Sequence, residues 1–196
     1  MTADLDTRPV GRGDLSDLAR LFGGRRSTRR CWCAAFCTTS GQFARGWFGA
    51  GNRRRFETMA STDSAPMGVI ASVRGEPVGW CACGPRSRYT AALRGRSRLL
   101  RERDRTEDDS VWLLPCTVVA AAYRGRGITS TLVRAAVALA RQEGASAVEG
   151  WPLARSAQRP AEGFLGREEV FEELGFRCVA RPSPHRAIMR LELSGD

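Results

Sequence analysis

The stretch that most constrains this chain runs from residue 117 to residue 141, where a strand pattern, a glycine-rich turn and a helix pattern follow one another. The strand is apolar and β-branched, the turn reads Tyr123-Arg124-Gly125-Arg126-Gly127, and the helix is amphipathic. The N–H groups of a first helical turn have no intrahelical acceptor, and the helix dipole adds partial positive charge there. This order predicts an anion-binding turn, which we expect to hold a pyrophosphate.

Composition indicates one globular domain over residues 1–196. The chain is 42% hydrophobic and 27% charged, which is typical of a protein with a substantial core. Its apolar runs are all shorter than the roughly 18 residues of a membrane span. The N-terminal segment lacks the basic and apolar regions of a secretion signal. We therefore expect a cytoplasmic protein, a monomer or homodimer, with no membrane partner.

The charge of the chain is strongly positive, with a formal net value of +10, and lysine is absent. Such a surface suits nucleic acid, acidic proteins or a phosphorylated cofactor. The arginines are spread along the whole chain, so the sequence weighs against nucleic acid as the partner. Because lysine is absent, the protein has no lysine side chain that could be acylated or form a Schiff base.

Predicted strands and helices alternate, with one clear hairpin, which indicates an α/β (α+β) fold with a mixed sheet. The strand patterns cover 7–10, 67–73, 78–83, 111–119, 146–151, 176–180 and 186–193. Helical patterns cover 14–22, 42–48, 52–59, 167–174 and the stretch after the glycine-rich turn. Pro115 interrupts the fourth strand, and proline there is typical of an edge or a bulge.

Two known nucleotide signatures do not fit the turn. No Gly-Lys-Ser/Thr follows it, as a Walker motif requires, and Ser130 stands where a Rossmann fingerprint needs its third glycine. The turn instead resembles the acyl-CoA signature of the GNAT superfamily of N-acetyltransferases, Q/R-x-x-G-x-G/A, which runs here from Arg124 to Thr129. The segment from Val170 to Phe176 is similar to that family's "LYexxGF" element. The order of elements is similar over 4–193, with extra length at 84–110 and 153–166.

This resemblance implies a GNAT-like, mostly antiparallel sheet that is splayed between strands four and five, with acetyl-CoA in the gap and no metal. A β-bulge in the fourth strand would fall at Pro115. The pantetheine would pair with backbone of Thr117, Val118 and Val119, and the Val119 N–H would polarise the thioester carbonyl. The pyrophosphate would lie on the amides of Arg124, Gly125, Arg126, Gly127, Ile128, Thr129 and Ser130.

The implied reaction is direct attack of a primary amine on the thioester in a ternary complex. The acceptor could be a protein lysine or a small-molecule amine. Glu149 matches a position that serves as base in some family members, although a glutamate at a strand end can also be structural. Trp151 would lie near the substrate. Phe171 stands where the family often has a tyrosine acid, so Tyr89, Tyr123, a thiol or water would protonate the thiolate, or it would leave unassisted.

Two other functions stay open at this point. The missing tyrosine is compatible with a GNAT-like fold that binds CoA without catalysis, as a sensor or partner module. The positive charge is compatible with nucleic-acid binding.

Seven cysteines, an odd number, favour reduced thiols over a disulfide framework. Cys31 with Cys33 and Cys81 with Cys83 could supply four zinc ligands, but zinc knuckles typically space their cysteines as C-x2-C. Free thiols are therefore the expectation. His185 is the only histidine, which gives triad chemistry little support.

Overall fold

The structure, a computed structural model, describes residues 4–24, 26–94, 103–155 and 166–193. Parts of the two long connections, 95–102 and 156–165, lie outside these ranges. The strands are β1 Leu5–Pro9, β2 Gly68–Val73, β3 Glu76–Pro85, β4 Val111–Val119, β5 Ala147–Gly150, β6 Arg177–Ser183 and β7 Arg186–Glu192. The helices are α1 Leu15–Gly23, α2 Arg26–Cys31, α3 Ala34–Cys37, α4 Ser40–Trp47, α5 Gly51–Thr62, α6 Thr90–Leu93, α7 Ile128–Gln142 and α8 Glu168–Glu173.

The strands form one sheet in the order β1-β2-β3-β4-β5-β7-β6. Every neighbouring pair is antiparallel except β4 with β5, which is parallel. The predicted mixed, mostly antiparallel sheet is therefore confirmed. None of the helices in the described ranges combines the length and apolar character that a bilayer crossing requires.

The β2–β3 hairpin shows how local chemistry determines the register. Val73 pairs with Glu76 across a two-residue turn in which Arg74 and Gly75 both have positive φ, 52° and 80°. Two consecutive positive φ values match the right-handed twist of the flanking strands, as in type I′ turns. The turn predicted between these strands is thus present.

One face of the sheet carries α7 and α8. Helix α7 buries Ile128, Leu132 and other residues of its apolar stripe against β2, β3 and β4. A side chain at Gly79 would meet Ile128 and Leu132 at 2.9 Å, so the first turn of α7 lies directly on the backbone of β3. This close contact fixes the N-terminus of α7 beside the end of β4.

The other face carries an aromatic cluster beneath the helices α1 to α5. Phe22 packs edge-on against Trp32 and Trp80, with ring centroids 5.2 and 6.3 Å apart, and Phe56 packs on Trp80 at 6.0 Å. The sequence patterns did not assign α2 and α3, which flank Trp32 and Cys33. Both residues have positive φ, 48° and 53°, so the helices are separated by a sharp left-handed turn.

A bulge in β4 reverses the direction of its side chains. Opposite β3, Leu113 pairs with Gly84 but Cys116 pairs with Ala82, so three steps along β4 match two along β3. Trp112 and Leu114 face the α7 layer, whereas Cys116 and Val118 face the aromatic cluster. Without an extra residue all four would lie on one face. The bulge predicted at Pro115 is confirmed.

Strands β4 and β5 separate immediately after this bulge. Their parallel pairing ends at Leu114 opposite Gly150. The chain after β5 stays with β7, since Ala187 N–H donates to Pro152 C=O at 3.3 Å and Ala154 N–H donates to His185 C=O at 3.0 Å. A gap therefore opens beside residues 115–119, as the predicted splay required.

We expect Gly150→Ala to destabilise the protein by about 1–3 kcal/mol, because an added Cβ overpacks the point where the strands separate. That Cβ would lie 2.1 Å from Cε1 of Phe171. Urea denaturation would measure the loss, and Phe171→Leu in the same chain should recover part of it. Gly23→Ala is the control, since its Cβ meets nothing within 4 Å. Equal midpoints for Gly150→Ala and the parent would contradict the contact.

Candidate functional site

The edge of β4 that borders the gap presents free backbone groups. Ala120 N–H donates to Val78 C=O at 2.9 Å, which makes these two a hydrogen-bonded pair of the antiparallel ladder. By the alternation of that ladder, Thr117 and Val119 lie opposite Cys81 and Gly79 as non-hydrogen-bonded pairs. Their N–H and C=O groups are therefore directed away from β3 and toward the gap. An extended ligand could pair with them as a strand would.

The glycine-rich turn follows at the end of this edge. Gly125 and Gly127 have φ of 70° and 76°, and Gly127 caps α7 without a side-chain hydrogen bond. Within the described residues, the first backbone N–H of α7 to find an acceptor is that of Thr131, which donates to Gly127 C=O at 3.1 Å. The amides before it are available to an anion. Helix α7 has 15 residues, long enough for an appreciable dipole.

Two arginine side chains border the turn. Arg124 and Arg126 are exposed, and the Arg126 guanidinium lies over the ring of Tyr123 at 5.3 Å from its centroid. A side chain at either glycine of the turn would meet nothing within 4 Å, so the space above the backbone is open. The turn thus offers amides, positive charge and room for a phosphate group.

Glu149 lies on β5 opposite Leu113, just before the strands separate. Its side chain is only 8% exposed, and its Oε1 contacts Arg86 at 3.2 Å and Arg190 at 3.3 Å. Within the described residues both contacts involve Oε1 and none involves Oε2. The two guanidinium groups stabilise the charged carboxylate. They also occupy the oxygen that a cationic ligand would otherwise contact.

Arg86 lies at the centre of this charged cluster, and no sequence pattern predicted its role. Its side chain is 2% exposed; besides Glu149 it contacts Asp108 at 3.1 Å, Glu107 at 3.4 Å and the carbonyl of Asp104 at 2.8 Å. The hydrogen bond from Arg190 is the main factor that lowers the pKa of Glu107. Acidic residues of the 84–110 connection therefore balance buried arginines at the closed part of the sheet.

The residue at the position of the family's usual acid is part of the core. Phe171 is 1% exposed and packs edge-on against Phe176 at 5.1 Å. Tyr89 is also buried, and burial raises the pKa of its hydroxyl well above the usual value. Tyr123 is half-buried beneath Arg126. Trp151 directly follows β5, and its Nε1 is buried without a hydrogen-bond partner among the described residues.

All seven cysteines are free. Cys33 accepts from Trp80 Nε1 at 3.4 Å. A hydrogen bond from the Cys116 thiol is the main factor that lowers the pKa of Cys33, and the same bond raises the pKa of Cys116. The described residues contain no group of three or more side chains arranged to hold a metal.

The structure thus brings most of the predicted residues to one place. The edge of β4, the turn and Glu149 all border the separation of β4 and β5. Arg86 and Arg190 are the residues that sequence reasoning missed. They lie 63 and 41 positions from Glu149, and no short-range pattern signals such contacts.

One comparison with known proteins identifies a family. A family model described as the acetyltransferase (GNAT) family matches residues 35–176. No curated protein matches the chain.

Solved structures share the fold at low identity. The yncA protein of Salmonella typhimurium, solved with its cofactor acetyl-CoA, aligns with a TM-score of 0.57 at 14% identity over 98% of this chain and 96% of that one. The ribosomal-protein-alanine N-acetyltransferase of Brucella melitensis gives 0.57 at 17%, over 96% and 99%. The PaiA N-acetyltransferase of Thermoplasma acidophilum, solved with coenzyme A, gives 0.55 at 10%, over 96% and 99%.

We expect Arg86→Met to lower the free energy of unfolding by about 3–5 kcal/mol, because it removes one partner of a buried ion pair and leaves carboxylates under-compensated. Arg20→Met is the matched control: the Arg20 side chain is 52% exposed and pairs with Asp17 at the surface. That change should cost no more than about 1 kcal/mol. Urea denaturation of both variants measures the difference, and equal losses would contradict a structural role for Arg86.

Proposed function

The chain belongs to the GNAT acetyltransferase family, and we propose that it transfers the acetyl group of acetyl-CoA to a primary amine by direct attack in a ternary complex. One observation carries the proposal: the free edge of β4 leads into the glycine-rich turn, where the amides of residues 125–130 have no acceptor in the described residues. An extended amide chain that ends in a pyrophosphate matches both features in order, and pantetheine linked to a pyrophosphate is such a chain.

In this arrangement the pantetheine amides pair with the backbone of Thr117 and Val119. Val118, which was predicted to join them, lies opposite Trp80 as a hydrogen-bonded pair, so its N–H and C=O are directed toward β3.

The pyrophosphate lies on the amides of residues 125–130, where the dipole of α7 and the side chains of Arg124 and Arg126 favour negative charge. The Arg124 N–H, which was predicted to join them, donates to Ala121 C=O at 3.4 Å. Thr129 is half-buried beside the turn, with a hydroxyl that could donate to a phosphate oxygen. The thioester would then lie in the gap between β4 and β5.

The reaction begins when the lone pair of the amine attacks the thioester carbonyl carbon. The carbonyl oxygen gains negative charge, and the N–H of Val119, directed into the gap, stabilises it. The C–S bond then breaks and its electron pair goes to sulfur as the CoA thiolate. The amine loses one proton to a base or to water.

Glu149 remains our proposed base, although two positively charged groups contact its carboxylate. The carboxylate is near the gap and buried, but Oε1 already contacts two arginines. A proton would have to be accepted against their charge, with Oε2 as the available oxygen. Phe171 supplies no proton to the thiolate, so the thiolate would be protonated by water or leave as the anion.

The cofactor assignment predicts that Gly127→Ala weakens acetyl-CoA binding by about tenfold or more, because a Cβ crowds the phosphate and strains the turn. Gly144→Ala is the matched control: both glycines have φ of 76° and open space around the added carbon, but Gly144 lies beyond the opposite end of α7. Isothermal titration at moderate salt would compare the dissociation constants.

Two results of this titration would contradict the cofactor assignment. No acetyl-CoA binding by the parent would refute the proposed function. Equal weakening by Gly127→Ala and Gly144→Ala would refute the placement of the pyrophosphate and attribute the loss to backbone strain.

If Glu149 is the base, Glu149→Gln should lower kcat/KM at neutral pH by about 10²-fold or more and remove the acidic limb of the pH profile. Glu107→Gln is the control, since Glu107 contacts the same two arginines. A pH profile for Glu149→Gln that keeps the shape of the parent's would restrict Glu149 to positioning.

A second candidate function is a CoA-binding sensor or partner module with little catalysis. Two observations favour it: the buried Phe171 in place of a tyrosine acid, and the engagement of Glu149 by two arginines. Tight acetyl-CoA binding without CoA release in the presence of any amine would support this function over the first.

A further inference from the structure

A cavity of about 170 Å³ lies on the face of the sheet that carries α1 to α5. Phe22, Trp32, Phe36 and Trp47 line much of it, and we call it the aromatic pocket. None of the described residues that line it carries a formal charge.

The aromatic pocket begins next to the proposed site of acetyl transfer. Cys116 and Val118 of β4 form its floor, and the bulge at Pro115 is what turns their side chains to this face. Val119, whose N–H is directed into the gap, is the next residue, one Cα spacing of about 3.8 Å away. The pocket and the proposed position of the thioester are therefore neighbours on β4, with the pocket on the face opposite α7.

The wall of the pocket is held by a strained turn. Trp32 and Cys33 both have positive φ, and both line the pocket. Trp32 Nε1 donates to Arg29 C=O at 3.0 Å, and Trp80 Nε1 donates to Cys33 Sγ at 3.4 Å. Such backbone conformations persist where surrounding contacts enforce them and are concentrated at functional sites.

We propose that the aromatic pocket binds the apolar body of the acceptor, and that this acceptor is a primary amine carried on a single aromatic ring or an apolar group of that size. The inference rests on the proposed function. A cavity of about 150 Å³ lined by apolar side chains is sufficient for a benzene ring. The pocket is of that size, and its aromatic wall suits edge-to-face contacts with another ring.

The same lining disfavours other amines. A polycationic acceptor such as an aminoglycoside would place further ammonium groups against a wall with no carboxylate. An amino-acid-like acceptor would bring a carboxylate, and none of the described lining residues is a cation that could pair with it. A lysine side chain could insert its stem but would leave the aromatic wall partly uncovered. An apolar wall also favours the uncharged amine, which is the nucleophilic form.

The test is a turnover assay that measures CoA thiol release with 2-phenylethylamine, a lysine-containing peptide and an aminoglycoside, each at several concentrations. We expect kcat/KM for 2-phenylethylamine to exceed the other two values by about tenfold or more, the range that filling a hydrophobic pocket provides. An equal or higher value for the peptide or the aminoglycoside would overturn the inference.

Variants at the mouth of the pocket test whether the preference for 2-phenylethylamine depends on the aromatic pocket. Ala35 and Ser27 line the pocket but are exposed, so larger side chains there do not disturb the core. Ala35→Trp and Ser27→Trp should raise KM for 2-phenylethylamine about tenfold and leave KM for acetyl-CoA within twofold. Ala138→Trp, an exposed helical alanine on α7, is the matched control and should change neither value. Unchanged KM values in both pocket variants would also overturn the inference.

Acetyl-CoA titration separates this inference from the proposed function. If the parent binds acetyl-CoA and acetylates polar amines better than 2-phenylethylamine, the enzyme activity stands and the aromatic acceptor is wrong. If the parent does not bind acetyl-CoA, the proposed function fails and the inference falls with it. Binding without turnover of any of the three amines overturns the inference and favours the sensor.

Discussion

The parallel pairing of β4 with β5 lasts for only four residues, and the position where it stops determines the rest of the site. One extra residue at the Pro115 bulge ends the regular ladder, and β5 then follows β7 instead. The consequence is a row of backbone groups on β4 that no strand of the described chain satisfies. Buried backbone groups need partners, so an edge of this kind in the middle of a sheet supports the proposed pairing with an extended ligand.

The closed part of the same strand pair is held by charge. Arg86 and Arg190 join Glu149 of β5 to acidic residues of the connection that precedes β4. Such a cluster costs desolvation, and its members must remain paired to be tolerated. Glu149 therefore stabilises the strand pair through its two ion pairs, whether or not it also accepts a proton. Because both arginines contact its Oε1, the position of Glu149 beside the gap does not by itself identify it as a general base.

Because of the bulge, β4 contributes to different features on the two faces of the sheet. The face with α7 presents a helix N-terminus and a glycine-rich turn, which suit the phosphates of a cofactor. The face with α1 to α5 presents an uncharged aromatic pocket, which suits an apolar acceptor. Residues of β4 contribute to both, because its side chains change direction at Pro115 while its backbone continues into the turn.

Local features of the site were readable in the sequence. The bounds of β4 coincide with the predicted 111–119, and the bulge at Pro115 is present. The turn predicted over 74–77 is formed by Arg74 and Gly75 alone, and α7 begins directly after the glycine-rich turn, as predicted. Each of these depends on the backbone preference of a few neighbouring residues, since glycine permits positive φ, proline lacks a donor and apolar spacing matches one helical face.

Tertiary structure alone decided the remainder. Arginine-rich residues 26–31 gave no amphipathic pattern, and α2 is positioned instead by packing around Trp32. The pairing of Arg86 and Arg190 with Glu149 and the assembly of the aromatic pocket from α1, α2, α3, α4 and β4 depend on strand register and helix placement. The sequence by itself therefore determined the glycine-rich turn and the strand that precedes it, because these are contiguous. The lining of the aromatic pocket and the ion pairs of Glu149 were decided by contacts between residues far apart in the chain, which no local preference encodes.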